Sequence, residues 1–293
     1  MAKIIMVQGT SSGVGKSILS TALCRIFKQD GYKVAPFKAQ NMSSNFHILE
    51  NGDKMARSQA VCAYACGIEP DFRMNPILLM PEGYNTEVYI NGKYKGKMDA
   101  FKYKDIKMEF FDEVLNSFHQ LCNENEIVVI EGAGSPVELN LAKTDLVNMG
   151  FAREVKAPVI LVSDITRGGV FASLYGTINL INEEDRKLIK GLVVNKFRGH
   201  IEHFKEGKDI LEEVCKKEVL GVIPHFQINI EDEDSLTDGF EIKTKESLSK
   251  NLEEDKSDTA YINYLSNQFD LLADNFRNNL DMKKLYKILE GEL

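Results

Sequence analysis

Lys16 and Ser17 close the stretch Gly9-Thr-Ser-Ser-Gly-Val-Gly-Lys-Ser17. The spacing approximates the phosphate-binding pattern G-x-x-x-x-G-K-[ST], with Thr10 where the first glycine would stand. An apolar run precedes it and a helical pattern (Ile18, Leu19, Ala22, Leu23, Ile26, Phe27) follows, which is the context such a loop requires. Glycines let main-chain N–H groups approach phosphate oxygens, and a helix N-terminus adds a favourable dipole. Gly9, Thr10, Ser12, Gly13, Val14 and Gly15 would cradle a nucleotide. Lys16 would bridge its outer phosphates and Ser17 would ligate Mg²⁺. The competing reading is a glycine-rich turn with an incidental lysine.

A phosphate loop needs an acid near its metal. Glu131 ends the apolar run Ile127–Ile130, which places a carboxylate at one strand terminus beside Gly132-Ala-Gly134. Asp164 is placed alike after Val159–Ser163. A solvated strand-end acid is the alternative for both. Lys38 ends another apolar run and should face the same edge as Lys16, unless it is a surface lysine. Arg167-Gly-Gly before a helical pattern suits a second anion site, because arginine can grip a carboxylate with two hydrogen bonds. Asn195, late in Gly191–Asn195, offers an amide donor and acceptor to an adenine edge. His200 and His203 form H-x-x-H without a third ligand nearby, the pattern of a solvated helix face.

The elements that must position these groups alternate. Short β-branched runs at 3–8, 33–37, 127–130, 158–163, 191–195 and 219–223 read as strands covered on both faces. Helical patterns lie near 15–29, 54–66, 105–124, 169–181 and 201–214. The expected fold is α/β, a mostly parallel sheet with helices on both faces, P-loop NTPase-like, with a C-terminal helical tail. Ligands of such sheets sit at the carboxyl ends of the strands. Residues 68–104 form an excursion with a hairpin around Val88–Lys93. A domain is expected over 1–230, an acidic flexible linker over 231–257 and a helical tail over 258–293. In the tail Leu265, Phe269, Leu272, Phe276 and Leu280 step by three or four, and Asp281 precedes a second short helix.

The chain has 293 residues, 43% hydrophobic and 27% charged, with a net charge of -8, so it reads as globular and not as a nucleic-acid binder. No apolar run reaches the roughly 18 residues of a membrane helix, and the N-terminus has no signal-peptide layout, so a cytoplasmic location is expected. The five cysteines contain no C-x-x-C and read as buried thiols.

In order along residues 3–225, GTSSGVGKS, PFKAQNM, RSQAV, MNPILL, EGAGSPVELNL, NMGFA, DITRGGVFASLYGT, VNKFRG and VLGVIP resemble the synthetase domain of cobyric acid synthases. Cobyrinic acid a,c-diamide synthase and dethiobiotin synthetase carry a similar loop. The resemblance implies an ATP- and Mg²⁺-dependent amidoligase of cobalamin biosynthesis. It would convert corrinoid carboxylates to acyl phosphates that ammonia then displaces. Carried over by motif, Lys16, Lys38 and Glu131 would be catalytic, Ser17 and Glu131 would hold Mg²⁺, and Asn195 would contact the base. Gln40, Asn41, Arg57, Ser135, Asn140, Asp164 and Arg167 would face the corrinoid.

The likeness has breaks. The family also carries a glutaminase domain that this chain has no room for, while residues 260–289 resemble the helical end that follows it. Internal loss is the expectation, with ammonia drawn from solution or from a separate glutaminase chain. Lys54, Thr166 and His200 stand where the family tends to be acidic, and Met80 where it tends to have lysine. Asp53 would replace the acid missing at 54 as a metal ligand if its loop shifts. A non-catalytic or repurposed ATP-binding paralogue is therefore the rival reading. A partitioning-type ATPase fits less well, having no use for EGAGSP and NMGFA. A homodimer fits the apolar face of the tail helix.

Overall fold

The computed structural model describes residues 2–231, 243, 245–249 and 258–293. In chain order the elements begin with β1 (Lys3–Gly9), α1 (Lys16–Gln29), β2 (Val34–Phe37), β3 (Gln40–Met42), β4 (Phe46–Ile48), β5 (Lys54–Ala56) and α2 (Arg57–Cys66). Next come β6 (Ile77–Glu82), β7 (Asn85–Ile90), β8 (Lys93–Met98), α3 (Ala100–Ile106), α4 (Phe111–Glu124) and β9 (Ile127–Glu131). Then follow α5 (Met149–Val155), β10 (Val159–Asp164), α6 (Val170–Leu180), α7 (Glu183–Arg186), β11 (Ile189–Phe197), α8 (Lys205–Cys215) and β12 (Val219–Pro224). The C-terminal part holds α9 (Lys245–Ser249), α10 (Asp258–Asn279) and α11 (Met282–Glu290).

The chain forms two compact units. One takes residues 20–128 and 228–273, and the other takes 3–19, 129–227 and 274–293. In the second unit the strands follow the order β12-β11-β10-β1-β9. β1 pairs parallel to β10 with Met6 opposite Val159, and β10 pairs parallel to β11 with Asp164 opposite Asn195. β11 and β12 are parallel as well. Ile5, Val7, Val129, Ile130, Leu161 and Val193 are buried, as a sheet covered on both faces demands. Gly9, Glu131 and Asp164 are the last residues of their strands, so they share the carboxyl edge. Leu280 bridges Gly221, and Asp281 caps α11 by accepting from Lys284 N at 3.0 Å.

In the first unit β9 begins beside β2, where Glu126 and Ile127 N–H groups donate to the Lys33 carbonyl. A second sheet runs β3-β6-β7-β8, with β3 and β6 parallel and the rest antiparallel. The hairpin expected near Val88–Lys93 is present, its turn made by Asn91 and Gly92, both at positive φ (48° and 77°). That mirror-image turn matches the twist of its strands. The helix expected over 54–66 starts only at Arg57, because Lys54–Ala56 pairs with Phe46–Ile48. The one expected over 105–124 is divided. Asp99 accepts from Phe101 and Lys102 N–H groups and starts α3 early, and a tighter turn at Lys107–Phe110 separates it from α4.

α10 buries Leu265, Phe269 and Leu272, and in the first unit its Asp270 accepts from Arg25 Nε at 2.7 Å. The linker expected over 231–257 falls mainly outside the described residues. Where it is described, Leu248 on α9 is buried, and so is Glu231.

Candidate functional site

The second unit assembles the phosphate loop from the end of β1. Gly13 and Gly15 adopt φ of 72° and 101°, left-handed values that side chains resist. At Gly15 a Cβ would also lie 2.1 Å from Asn195 Nδ2. Thr10 is anchored twice, by its N–H to the Val162 carbonyl (2.9 Å) and by its hydroxyl to Ser163 Oγ (2.9 Å). Ser12 is exposed on the loop and Val14 is buried beneath it. Lys16 is buried, and its ammonium donates to the carbonyls of Ser11 and Gly134, each at 3.0 Å. Ser17 Oγ donates to Glu131 Oε1 at 2.8 Å, and Glu131 is only 1% exposed. A cationic amine, a hydroxyl and a buried carboxylate thus meet at one strand edge. Hydroxyl and carboxylate oxygens are the hard donors that suit Mg²⁺.

The other side of the loop is held by the end of β11. Asn195 Nδ2 donates to the Val14 carbonyl at 2.8 Å, and its Oδ1 accepts from Lys196 N at 2.8 Å. Both ends of the amide expected to read adenine are therefore engaged with main chain. Lys196, which sequence reasoning missed, donates from Nζ to the Gly13 carbonyl (2.6 Å) and pairs with Asp164 (2.9 Å). Asp164 Oδ1 also accepts from the N–H (2.7 Å) and hydroxyl (2.6 Å) of Thr166. Burial disfavours the Asp164 charge, but the bonds from Thr166 and Lys196 outweigh it and hold the carboxyl below its ordinary value. Asp164 is thus a loop clamp, and Thr166 is its hydrogen-bond donor. Arg167 is exposed in the turn that follows. Ser135 donates its N–H to Glu138 Oε1 at 3.2 Å, and Asn140 is exposed on the same loop.

The remaining candidates lie in the first unit. Lys38, past the end of β2, is 2% exposed, and its carbonyl accepts from Asn75 Nδ2 at 3.0 Å. Gln40 Oε1 accepts from the Tyr103 hydroxyl, a phenol whose pKa burial raises. Asn41 is buried, with its amide 3.5 Å from Ser58 Oγ.

Arg57 and Asp53, expected on the substrate and on the metal, each make contacts to other side chains. Arg57, expected on the substrate, spends its fork on Glu231: Nε to Oε2 at 2.9 Å and Nη2 to Oε1 at 2.7 Å. His47 Nδ1 lies 2.8 Å from Arg57 Nη1, and the Tyr261 hydroxyl donates to Glu231 Oε1 at 2.7 Å. Burial opposes the guanidinium charge, yet Glu231 raises the Arg57 pKa above its usual value. Asp53, expected on the metal, is buried against Lys93 Nζ (2.5 Å) and the Asn51 amide (2.9 Å). Lys54 sets its amine over the rings of Phe46 (4.2 Å) and Tyr89 (4.9 Å), so its positive charge has a local partner. Met80 packs against Ala56, Leu78 and Tyr89. His200 and His203 are exposed neighbours, as expected of a solvated face. Among the described residues no three His, Cys, Asp or Glu side chains converge as a metal cluster, and no helix is long and apolar enough to cross a membrane.

A parallel sheet with a glycine loop between β1 and α1, a buried lysine and an acid at the end of β9 defines a nucleotide-binding α/β protein of the P-loop class. Residues 5–235 match the CobQ/CobB/MinD/ParA nucleotide binding domain, and the chain belongs to that family. It is 51% identical over 253 residues to a cobyric acid synthase of Lachnoclostridium phytofermentans, covering 85% of this chain and 49% of that protein. It is 52% identical over 237 residues to one of Streptococcus sanguinis, covering 80% of this chain and 48% of that protein. The chain thus spans about half the length of the curated relatives it matches. Among solved structures, MinD of Aquifex aeolicus aligns at 16% identity and a TM-score of 0.45, over 77% of this chain and 83% of that one.

Proposed function

We propose that the chain is an ATP-dependent amidoligase acting on carboxylates of a corrinoid, as its cobyric acid synthase relatives suggest by name. The supporting observation is the contact of Ser17 with Glu131 beside the buried Lys16. A carboxylate is a poor acyl donor because its leaving group would be oxide. In the proposed reaction a substrate carboxylate oxygen attacks the γ-phosphorus and ADP leaves. Ammonia then attacks the acyl carbon, phosphate departs, and the nitrogen sheds a proton to give the amide. Lys16 and the N–H groups of Gly13 and Gly15 hold the phosphates. Ser17 and Glu131 would hold Mg²⁺, which neutralises phosphate charge when bound. Asn195 and Lys196 keep the loop in shape for this task. The nitrogen comes as free ammonia or from a separate glutaminase chain.

The test incubates the protein with ATP, Mg²⁺, ammonium and cobyrinic acid a,c-diamide, followed by mass spectrometry. Products in which successive hydroxyls are replaced by amino groups, formed with ADP, would support the reading. Glutamine should not replace ammonium for the pure chain. The second reading, a nucleotide binder without ligase activity, is favoured by one observation: Arg57 is taken by Glu231. Bound nucleotide with neither ADP release nor amidated product would select it.

A further inference from the structure

Glu131 meets Ser17 only if the chain leaving β9 turns at a defined angle. That turn is Gly132-Ala133-Gly134, with Gly134 in the left-handed region (φ 59°) and its carbonyl on Lys16. One side chain grips the middle of it. Asn148 is 4% exposed, accepts from Ala133 N at 3.2 Å through Oδ1, and donates to the Ala133 carbonyl at 2.6 Å through Nδ2. An amide used at both ends imitates a strand partner and fixes both peptide planes around Ala133. The approach is close enough that a Cβ on Gly132 would lie 2.3 Å from Asn148 Oδ1.

Asn148 is itself held. Asp145 Oδ1 accepts from the N–H groups of Val147 (3.0 Å) and Asn148 (2.8 Å), and Oδ2 accepts from Gly150 N (2.9 Å). Gly150 has no room for a side chain, since a Cβ would fall 1.8 Å from the Asp145 carbonyl oxygen. The segment Asp145-x-x-Asn148-x-Gly150 is a rigid bracket at the start of α5. No contact described above joins it to Lys16 or Ser17, and its described link to them runs through the turn after β9.

We propose that Asn148 is a positioning residue that presents Glu131 to Ser17 and so sets the metal-dependent part of nucleotide binding. The inference rests on the nucleotide reading above. Asn148→Asp keeps the acceptor for Ala133 N but replaces the donor with an oxygen facing the Ala133 carbonyl. Asn148→Ser removes the reach of the amide altogether. ADP affinity is measured by calorimetry with and without Mg²⁺ for both variants and the wild type, with thermal melts to establish folding. The expected result is that Mg²⁺ strengthens ADP binding at least about tenfold less in the variants than in the wild type, the scale of losing a buried hydrogen bond. Metal-free ADP affinity stays close to wild type, a split that a merely structural role would not produce. A full Mg²⁺ increment in either folded variant overturns the proposal, and so does an equal loss with and without Mg²⁺. Failure of both variants to fold also counts against it, since Asn148 would then be a stability residue. A wild type that binds no ADP at all removes the nucleotide reading instead.

Discussion

Glu231→Ala should be among the most damaging single substitutions outside the phosphate loop. Its carboxylate takes two hydrogen bonds from Arg57 and one from Tyr261, and the Arg57 and Glu231 side chains are 9% and 3% exposed. Truncation leaves a guanidinium buried without its counter-charge, with His47 Nδ1, the Tyr261 hydroxyl and Tyr64 among the groups described around it. Removing one partner of such a pair costs about 3–5 kcal/mol, whereas replacing both by apolar side chains of similar volume is often near neutral. Urea denaturation of Glu231→Ala, Arg57→Met and the Arg57→Met/Glu231→Leu double variant measures both terms. The single variants should lose about 3–5 kcal/mol, and the double variant should recover most of it. A Glu231→Ala loss below about 1 kcal/mol, the range of exposed pairs, would refute the reasoning.

Gly15→Ala should abolish nucleotide binding and lower the melting temperature, because its Cβ would strike the Asn195 amide at 2.1 Å in a backbone held at φ 101°; wild-type affinity by titration would contradict this. Asp164→Asn should flatten the acid limb of the stability–pH curve. The folded carboxyl is held below its ordinary value, so its stabilisation is complete above the unfolded pKa and is lost as pH falls through the folded one. Parallel acid limbs in wild type and variant would count against the clamp. Gln8→Leu should stabilise the fold by about 1–2 kcal/mol, since Gln8 Oε1 is buried with no hydrogen-bond partner among the described residues. A loss in chemical denaturation would show that the oxygen is satisfied in solution.

Much of the frame was legible because it depends on local pattern. Runs such as Val159–Ser163 are apolar throughout, since both faces of the strand are covered, and the Asn91-Gly92 turn declares itself through residues that tolerate positive φ. The three-residue strands β3, β4 and β5 carry too few side chains for a period, and pairing alone creates them. At the site, types and spacing gave the loop and the strand-end acid. They did not give commitments made across the fold. Arg57 looked free for a ligand because its partner Glu231 lies 174 residues away. Lys196 gave no signal beyond adjacency to Asn195, for its role depends on where Gly13 is carried. Asn148 had a faint one: the Asp145-x-x-Asn148-x-Gly150 spacing suits a helix start, but nothing local says that its amide grips Ala133. Thr166 in place of an acid became intelligible only with Asp164 Oδ1 seen to accept from it.

The central claim is that Lys16, Ser17 and Glu131 form one nucleotide–metal site. Calorimetric titration of wild type, Lys16→Ala and Glu131→Gln with ATP, with and without Mg²⁺, tests it most directly. The account predicts binding by wild type, loss of binding in Lys16→Ala, and in Glu131→Gln loss of the increment that Mg²⁺ adds. Wild-type affinity in Lys16→Ala, or an undiminished Mg²⁺ effect in Glu131→Gln, would contradict it.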